Sequence, residues 1–189
     1  AKNNIVVFMH DDLILETPNM TPKIVKLFEK HPEYGIIGIA GTDKLTSGRW
    51  WDNRENMFGV VGHIHEGKRH VSKFSKGVYN DVLKDVVVVD GLFFMVHKKR
   101  IKKNFNEEFE GFHFYDISFC FDNFNEGVKI GVTTQVRVTH LSLGMTNNQW
   151  ENNRQIFAEK YSSNLPLKVK VDDNTKLNVL IGCLFFQKY

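Results

Sequence analysis

Two adjacent carboxylates, Asp11 and Asp12, follow His10 directly behind the apolar run Ile5-Val6-Val7-Phe8-Met9. A run of that composition reads as a strand buried on both faces, so the carboxylates emerge at the carboxyl end of a sheet, where α/β folds bind their ligands. Neighbouring residues of an extended loop project to different sides, so one carboxylate could reach a divalent cation while the other meets a ligand hydroxyl or a water. The competing reading is that both open a loop and cap nearby amides. His140 ends another strand-like run, Val138-Thr139, and an imidazole there can complete a metal site begun by Asp12. Asp116 closes the aromatic stretch Glu110-Gly111-Phe112-His113-Phe114-Tyr115. Desolvation in such surroundings raises a carboxyl pKa, which suits a general base, and the same residue could cap the helix that starts there. Asp90-Gly91 is a further acid at a strand end, and Trp50-Trp51 offers apolar ring faces, or else core packing under a loop. His113 is expected to be packed, and His63 and His65 to lie on a hairpin surface; the remaining histidines, His31, His70 and His97, have no assigned chemistry.

These residues must be held by strands and helices. Thr21 and Pro22 form a start signal, with Thr21 as cap and Pro22 in the first helical position, and Ile24, Leu27 and Phe28 then recur on one helical face up to His31-Pro32. Tyr34–Gly41 reads as a second buried strand, so residues 5–41 form a strand-helix-strand unit with the usual parallel crossover. Residues 42–82 are punctuated by glycines and read as an irregular insertion containing a hairpin near Met57–Ile64. One apolar strand is expected over Lys84–Asp90 and another over Leu92–Val96. A helix over Phe114–Phe124 ends at Gly127, strands follow at 128–132 and 135–139, and a helix spans Asn147–Tyr161. Alternation of this kind defines an α/β fold.

Composition narrows the function. The 189 residues include 25 basic and 22 acidic side chains, a net charge of +3 with no dense polybasic run, which argues against a nucleic-acid partner. With 42% hydrophobic residues and only 4 prolines the chain has the balance of a globular fold. Its two cysteines, Cys120 and Cys183, lie in apolar runs without metal-ligand spacing, so buried thiols in a reducing compartment are expected. No apolar stretch approaches the ~20 residues of a transmembrane helix, and a cytoplasmic location, free or peripheral at the inner face of the membrane, is the expectation.

Taken in order, His10-Asp11-Asp12, Val89-Asp90-Gly91-Leu92-Phe93-Phe94-Met95, Phe109–Ile117 and Thr139–Gly144 resemble the family 2-like glycosyltransferases of GT-A fold, in particular bacterial members with a His-x-Asp form of the metal motif. The resemblance covers about residues 4–161. It implies an α/β, GT-A-like mixed sheet with flanking helices, and a sugar moved from a nucleoside-diphosphate sugar to a hydroxyl on a glycan, lipid-linked or protein acceptor. It further implies inversion, and a place in bacterial surface polysaccharide or glycoconjugate synthesis. By the same likeness Asp12 and His140 would hold Mn²⁺ or Mg²⁺, Asp11 would stand beside the donor, and Asp90 and Gly91 would shape the pocket. Asp116 would deprotonate the acceptor, Trp50 and Trp51 would stack on a sugar, and Ser142–Asn148 could close as a lid.

Enzymes of that fold begin with an earlier strand and a Gly/Ser-containing loop for the nucleotide base. The chain opens instead at the Asp-containing strand, so the expectation is a domain over residues 1–163 lacking its first nucleotide-binding strands and belonging to a longer polypeptide with additional domains. Residues 164–189 would be a linker leading into the first strand of a Rossmann-like domain, Lys176–Gly182, or else a last edge strand. Two other classes remain open at this level: a non-catalytic carbohydrate-binding or scaffold module, and a metal-dependent phosphohydrolase, for which the additional ligands of a two-metal site are missing.

Overall fold

The computed structural model describes residues 2–74, 83–109, 111–142, 144 and 146–170. Its α/β architecture rests on two mixed sheets. The first contains β1 (Ile5–Met9), β3 (Tyr34–Gly38), β8 (Lys84–Val86), β10 (Phe93–His97) and β11 (Lys129–Val132), in the order β1-β10-β3-β11-β8. Only β3 and β11 pair parallel; the other three ladders are antiparallel. The second contains β2 (Leu13–Leu15), β4 (Ala40–Thr42), β6 (Met57–His65), β9 (Val88–Val89) and β12 (Val138–His140), in the order β2-β12-β6-β4-β9, with β7 (Lys68–Phe74) added on β6. Helices α1 (Met20–Lys30), α2 (Tyr115–Asn125) and α3 (Asn148–Lys160) complete the core.

Several expectations change. The strand β1 is an edge strand, with Val7 and Met9 38% and 53% exposed, because an antiparallel partner, β10, intervenes between it and β3. An apolar run of β-branched residues satisfies an edge as readily as a centre when one face is covered. Helix α1 starts at Met20, behind Asn19 in a left-handed conformation with no side-chain cap, so Pro22 is its third residue and Thr21 caps nothing. Proline is tolerated there because the first-turn N–H groups have no partner within the helix. The apolar stretch 84–89 is two strands: β8 pairs with β11 in one sheet and β9 with β4 in the other. Its continuous hydrophobicity reflects burial against both sheets, which conceals the break. The hairpin is present as β6 and β7, and it extends the second sheet instead of standing apart as an insertion.

Helix α2 follows its pattern closely: Ile117, Cys120 and Phe121 are buried, and Gly127, at φ 82°, turns the chain into β11. Phe114, Phe157 and Tyr161 join Phe121 in an aromatic cluster that locks α3 onto α2. After α3 the described residues, up to 170, stay on the body. Strand β13 (Leu167–Lys168) pairs antiparallel with β5 (Lys44–Leu45), and Val169 N–H donates to Asp43 C=O. The Rossmann-like strand expected at 176–182, and Cys183, lie outside the described residues, as do Glu110 and Leu143; Cys120 is a buried free thiol.

Asn123, fully buried in α2, ties that helix to the preceding loop. Its Oδ1 accepts from Lys102 N–H at 2.8 Å and Lys103 N–H at 3.1 Å, and its Nδ2 donates to Lys103 C=O and Phe119 C=O. Asn123→Ala removes these four hydrogen bonds at a buried position and is expected to lower unfolding free energy by about 3 kcal/mol, measured by urea denaturation.

Candidate active site

Strand register brings the polar strand ends together. Met9 lies opposite Phe93 and Leu13 opposite His140, so the turn 10–12 sits between the start of β10 and the end of β12. Two backbone bonds pin it: His10 N–H to Leu92 C=O at 3.1 Å, and Leu141 N–H to Asp12 C=O at 3.0 Å. In consequence His10, Asp12 and His140 present ligand atoms that all lie within 4.8 Å of one another. His140 Nε2 is 3.0 Å from Asp12 Oδ1, and His10 Nδ1 is 4.0 Å from the same oxygen. Ser142 Oγ donates to Asp12 Oδ2 at 2.9 Å and lies 3.1 Å from His140 Nε2. Burial holds the His140 pKa below that of a free imidazole, against the opposing pull of Asp12, with His10 and His63 adding to the depression. A neutral imidazole is the form that ligates a metal. Two imidazoles and one carboxylate suit a first-row divalent ion such as Mn²⁺ better than Mg²⁺, which prefers oxygen.

A cavity of about 500 Å³ is lined by His10 and His140 of this cluster, by Asp90, Gly91 and Asp116, and by Trp50, Trp51 and Trp150. Gly91 is the hinge of the wall. Its N–H donates to Asp116 Oδ2 at 2.6 Å and its carbonyl accepts from Tyr115 Oη at 2.9 Å. A Cβ at Gly91 would stand 2.6 Å from Tyr115 Oη and 2.8 Å from Asp116 Oδ2, so no other residue fits without displacing the acid. Asp90 Oδ1 accepts from Leu92 N–H at 2.9 Å, and burial raises its pKa.

Asp116 is the second residue of α2, behind Phe114 at φ 69°, so it is not the residue that caps the helix. Desolvation, and then the negative charge of Asp90, push its pKa up to about 7, with the backbone N–H groups of Ile117 and Gly91 opposing. An acid near 7 accepts a proton efficiently at neutral pH.

The predicted residues distribute unevenly. Asp90, Gly91, Trp50, Trp51, Asp116 and His140 line the cavity, and Asp12 joins through the cluster. Asp11 is exposed and is not part of the cavity lining. His63 was expected on a hairpin surface, yet it pairs with His140 across β6 and β12, and its ring centroid is 6.0 Å from that of His140 in the cavity wall. Spacing within 57–65 carries no sign of this, because a parallel pairing with a strand 77 positions away decides it. The sequence alone marks His10 only within the His-x-Asp pattern and gives Trp150 no site role. The two-residue step from His10 to Asp12 was the available signal for the first, whereas Trp150 reads only as a helix core position.

The model of a glycosyltransferase-like family matches residues 1–161, and the chain belongs to that family. No curated protein matches the chain. Membership makes it a glycosyltransferase in general terms, with a sugar donor and an acceptor. Among the described residues no helix is long and apolar enough to cross a membrane.

Because Asp116 holds its proton more tightly folded than unfolded, stability falls as pH rises from the ordinary value of 3.8 toward about 7. Asp116→Asn removes that contribution. Denaturant unfolding at pH 5 and pH 8 is expected to show a smaller loss across the interval in the variant than in the parent.

Proposed function

We propose that this chain is the catalytic part of a metal-assisted, inverting glycosyltransferase of GT-A type, using a nucleoside-diphosphate sugar. The observation that carries the reading is one cavity lined by His10 and His140, which cluster with Asp12, by Asp116 and by three tryptophans. Asp12 and His140, with His10, would hold the ion, Mn²⁺ in preference to Mg²⁺. A cation held there supplies neutralising charge to the diphosphate as it departs. Asp90 and Gly91 border the donor sugar, Asp11 lies on the solvent side of the same turn, and Trp50 and Trp51 border the acceptor. Asp116 takes the proton of the acceptor hydroxyl as its oxygen attacks the anomeric carbon. The bond from that carbon to the diphosphate breaks with its electron pair leaving on the diphosphate, and configuration inverts. Gly91 N–H keeps Oδ2 of the base fixed throughout, so no rotamer search precedes proton transfer. Thr146 and Gly144, after β12, border the cavity where a closing segment would act. Surface polysaccharide or glycoconjugate synthesis is the pathway class that such a reaction fits.

Two measurements test the reading. Mn²⁺ at about 100-fold over its dissociation constant should stabilise the protein by ~2.7 kcal/mol in thermal unfolding, and Asp12→Ala and His140→Ala should abolish the gain. Across a panel of uridine, guanosine and thymidine diphosphate sugars with Mn²⁺, turnover is expected to rise with pH through about 7. Asp116→Asn should lose about 10²–10⁴-fold in that assay. Equal turnover by the Asp116→Asn protein would remove the base assignment.

A further inference from the structure

We propose that the acceptor is a saccharide whose ring rests on Trp51, on a platform completed by Trp150 and rimmed by Arg49 and Glu151. The proposal rests on the transferase reading above and names its acceptor class. The sequence holds three tryptophans, and all three line the cavity that contains Asp116, Trp51 also bordering a second hollow beside Arg54 and Lys73. Their exposures differ in a telling way. Trp50 is 6% and Trp150 8% exposed, whereas Trp51 is 41% exposed. The Trp51 ring lies against Trp150 at 5.5 Å and 36°, and edge-on to Trp50 at 6.0 Å and 90°. Two buried indoles thus hold a third in place while part of it stays open. Trp50, the other residue assigned to the acceptor, is on this geometry the support and not the contact.

Polar groups sit in fixed positions beside the rings. The Arg49 guanidinium carbon is 5.3 Å from the Trp150 ring centroid, and its Nη2 is 3.4 Å from Glu151 Oε2. Glu151 in turn is gripped by Arg154, whose Nε lies 3.0 and 2.9 Å from its two oxygens. A carboxylate so paired stays ionised, its pKa brought down to about 2 by Arg154. A pyranose has an apolar C–H face and a belt of hydroxyls, and it needs an open aromatic face flanked by oriented donors and acceptors. An alkyl chain would meet the charged rim with nothing to pair it, which is unfavourable. A serine or threonine hydroxyl on a peptide has no ring to stack.

Because all three tryptophans line this cavity, tryptophan emission, excited selectively over the tyrosines, reports on its occupancy. Methyl β-glucopyranoside, methyl β-galactopyranoside and methyl N-acetyl-β-glucosaminide are titrated into the protein, with N-acetylserinamide and n-octanol as the competing classes. At least one pyranoside is expected to change the emission saturably, with Trp51→Ala weakening its binding about tenfold and Trp51→Phe restoring most of it. Arg49→Gln should change the ranking among the three sugars while the thermal midpoint of folding stays near that of the parent. Saturation by the serine amide or octanol alone, or equal sugar binding by Trp51→Ala, overturns the proposal. The donor panel with Mn²⁺ separates the two levels. Nucleotide release that no pyranoside accelerates overturns the acceptor assignment and leaves the transferase reading intact. Saccharide binding with no release from any donor overturns the transferase reading and, with it, the acceptor role.

Discussion

The turn at residues 10–12 is pinned at both ends, by Leu92 C=O on one sheet and Leu141 N–H on the other, and the functional end of the molecule depends on that double attachment. A turn with one anchor would leave Asp12 free to follow solvent. With two, the carboxylate is held against His140, and the two sheets are joined at the point where β1, β10 and β12 present their polar ends. The same attachment explains why the edge strand β1 is ordered despite its exposed outer residues. Its register with β10 is complete from Ile5 to Met9, and its last residue leads straight into the anchored turn.

Around this anchor the charges are arranged so that each depends on its neighbours. Asp90 and Asp116 share a poorly solvated wall; burial raises the pKa of both, and the charge of Asp90 further disfavours ionisation of Asp116. The imidazoles of His10, His63 and His140 lie close enough to Asp90 that positive charge on any of them would favour its ionised form. A cation entering the cluster would act in the same direction as those imidazoles. The Gly91 peptide is the part that makes the crowding tolerable, since it satisfies Asp116 by its N–H and Tyr115 by its carbonyl without a side chain of its own.

The tryptophan wall of the cavity is built by different forces. Phe114, Trp150 and Phe157 pack into one aromatic core, so helix α3, which belongs to neither sheet, is what places Trp150 behind Trp51. Asn147 caps that helix by accepting from Trp150 N–H at 2.8 Å, which starts the helix at the position that puts the indole in the wall. The polar cluster and the tryptophan cluster of the cavity are therefore set by separate elements, the first by strand register and the second by helix packing.

Much of this was legible in the amino-acid order alone. Apolar runs ending in His10-Asp11-Asp12, Asp90-Gly91 and His140 mark strand ends, because a run and its polar terminus are adjacent in the chain. The periodicity of 115–125 marks α2 with Gly127 as its stop, and the aromatic surroundings of Asp116 foretell its raised pKa. The order of those motifs also matches the family. Only the tertiary structure decided that β1 is an edge, that 84–89 divides between two sheets, that His63 faces His140, and that Trp150 meets Trp51. The physical reason is common to all four. Hydrophobicity records whether a residue is buried, not what buries it, and pairing between segments 77 or 99 positions apart is chosen by register and shape among alternatives that the local pattern leaves equal.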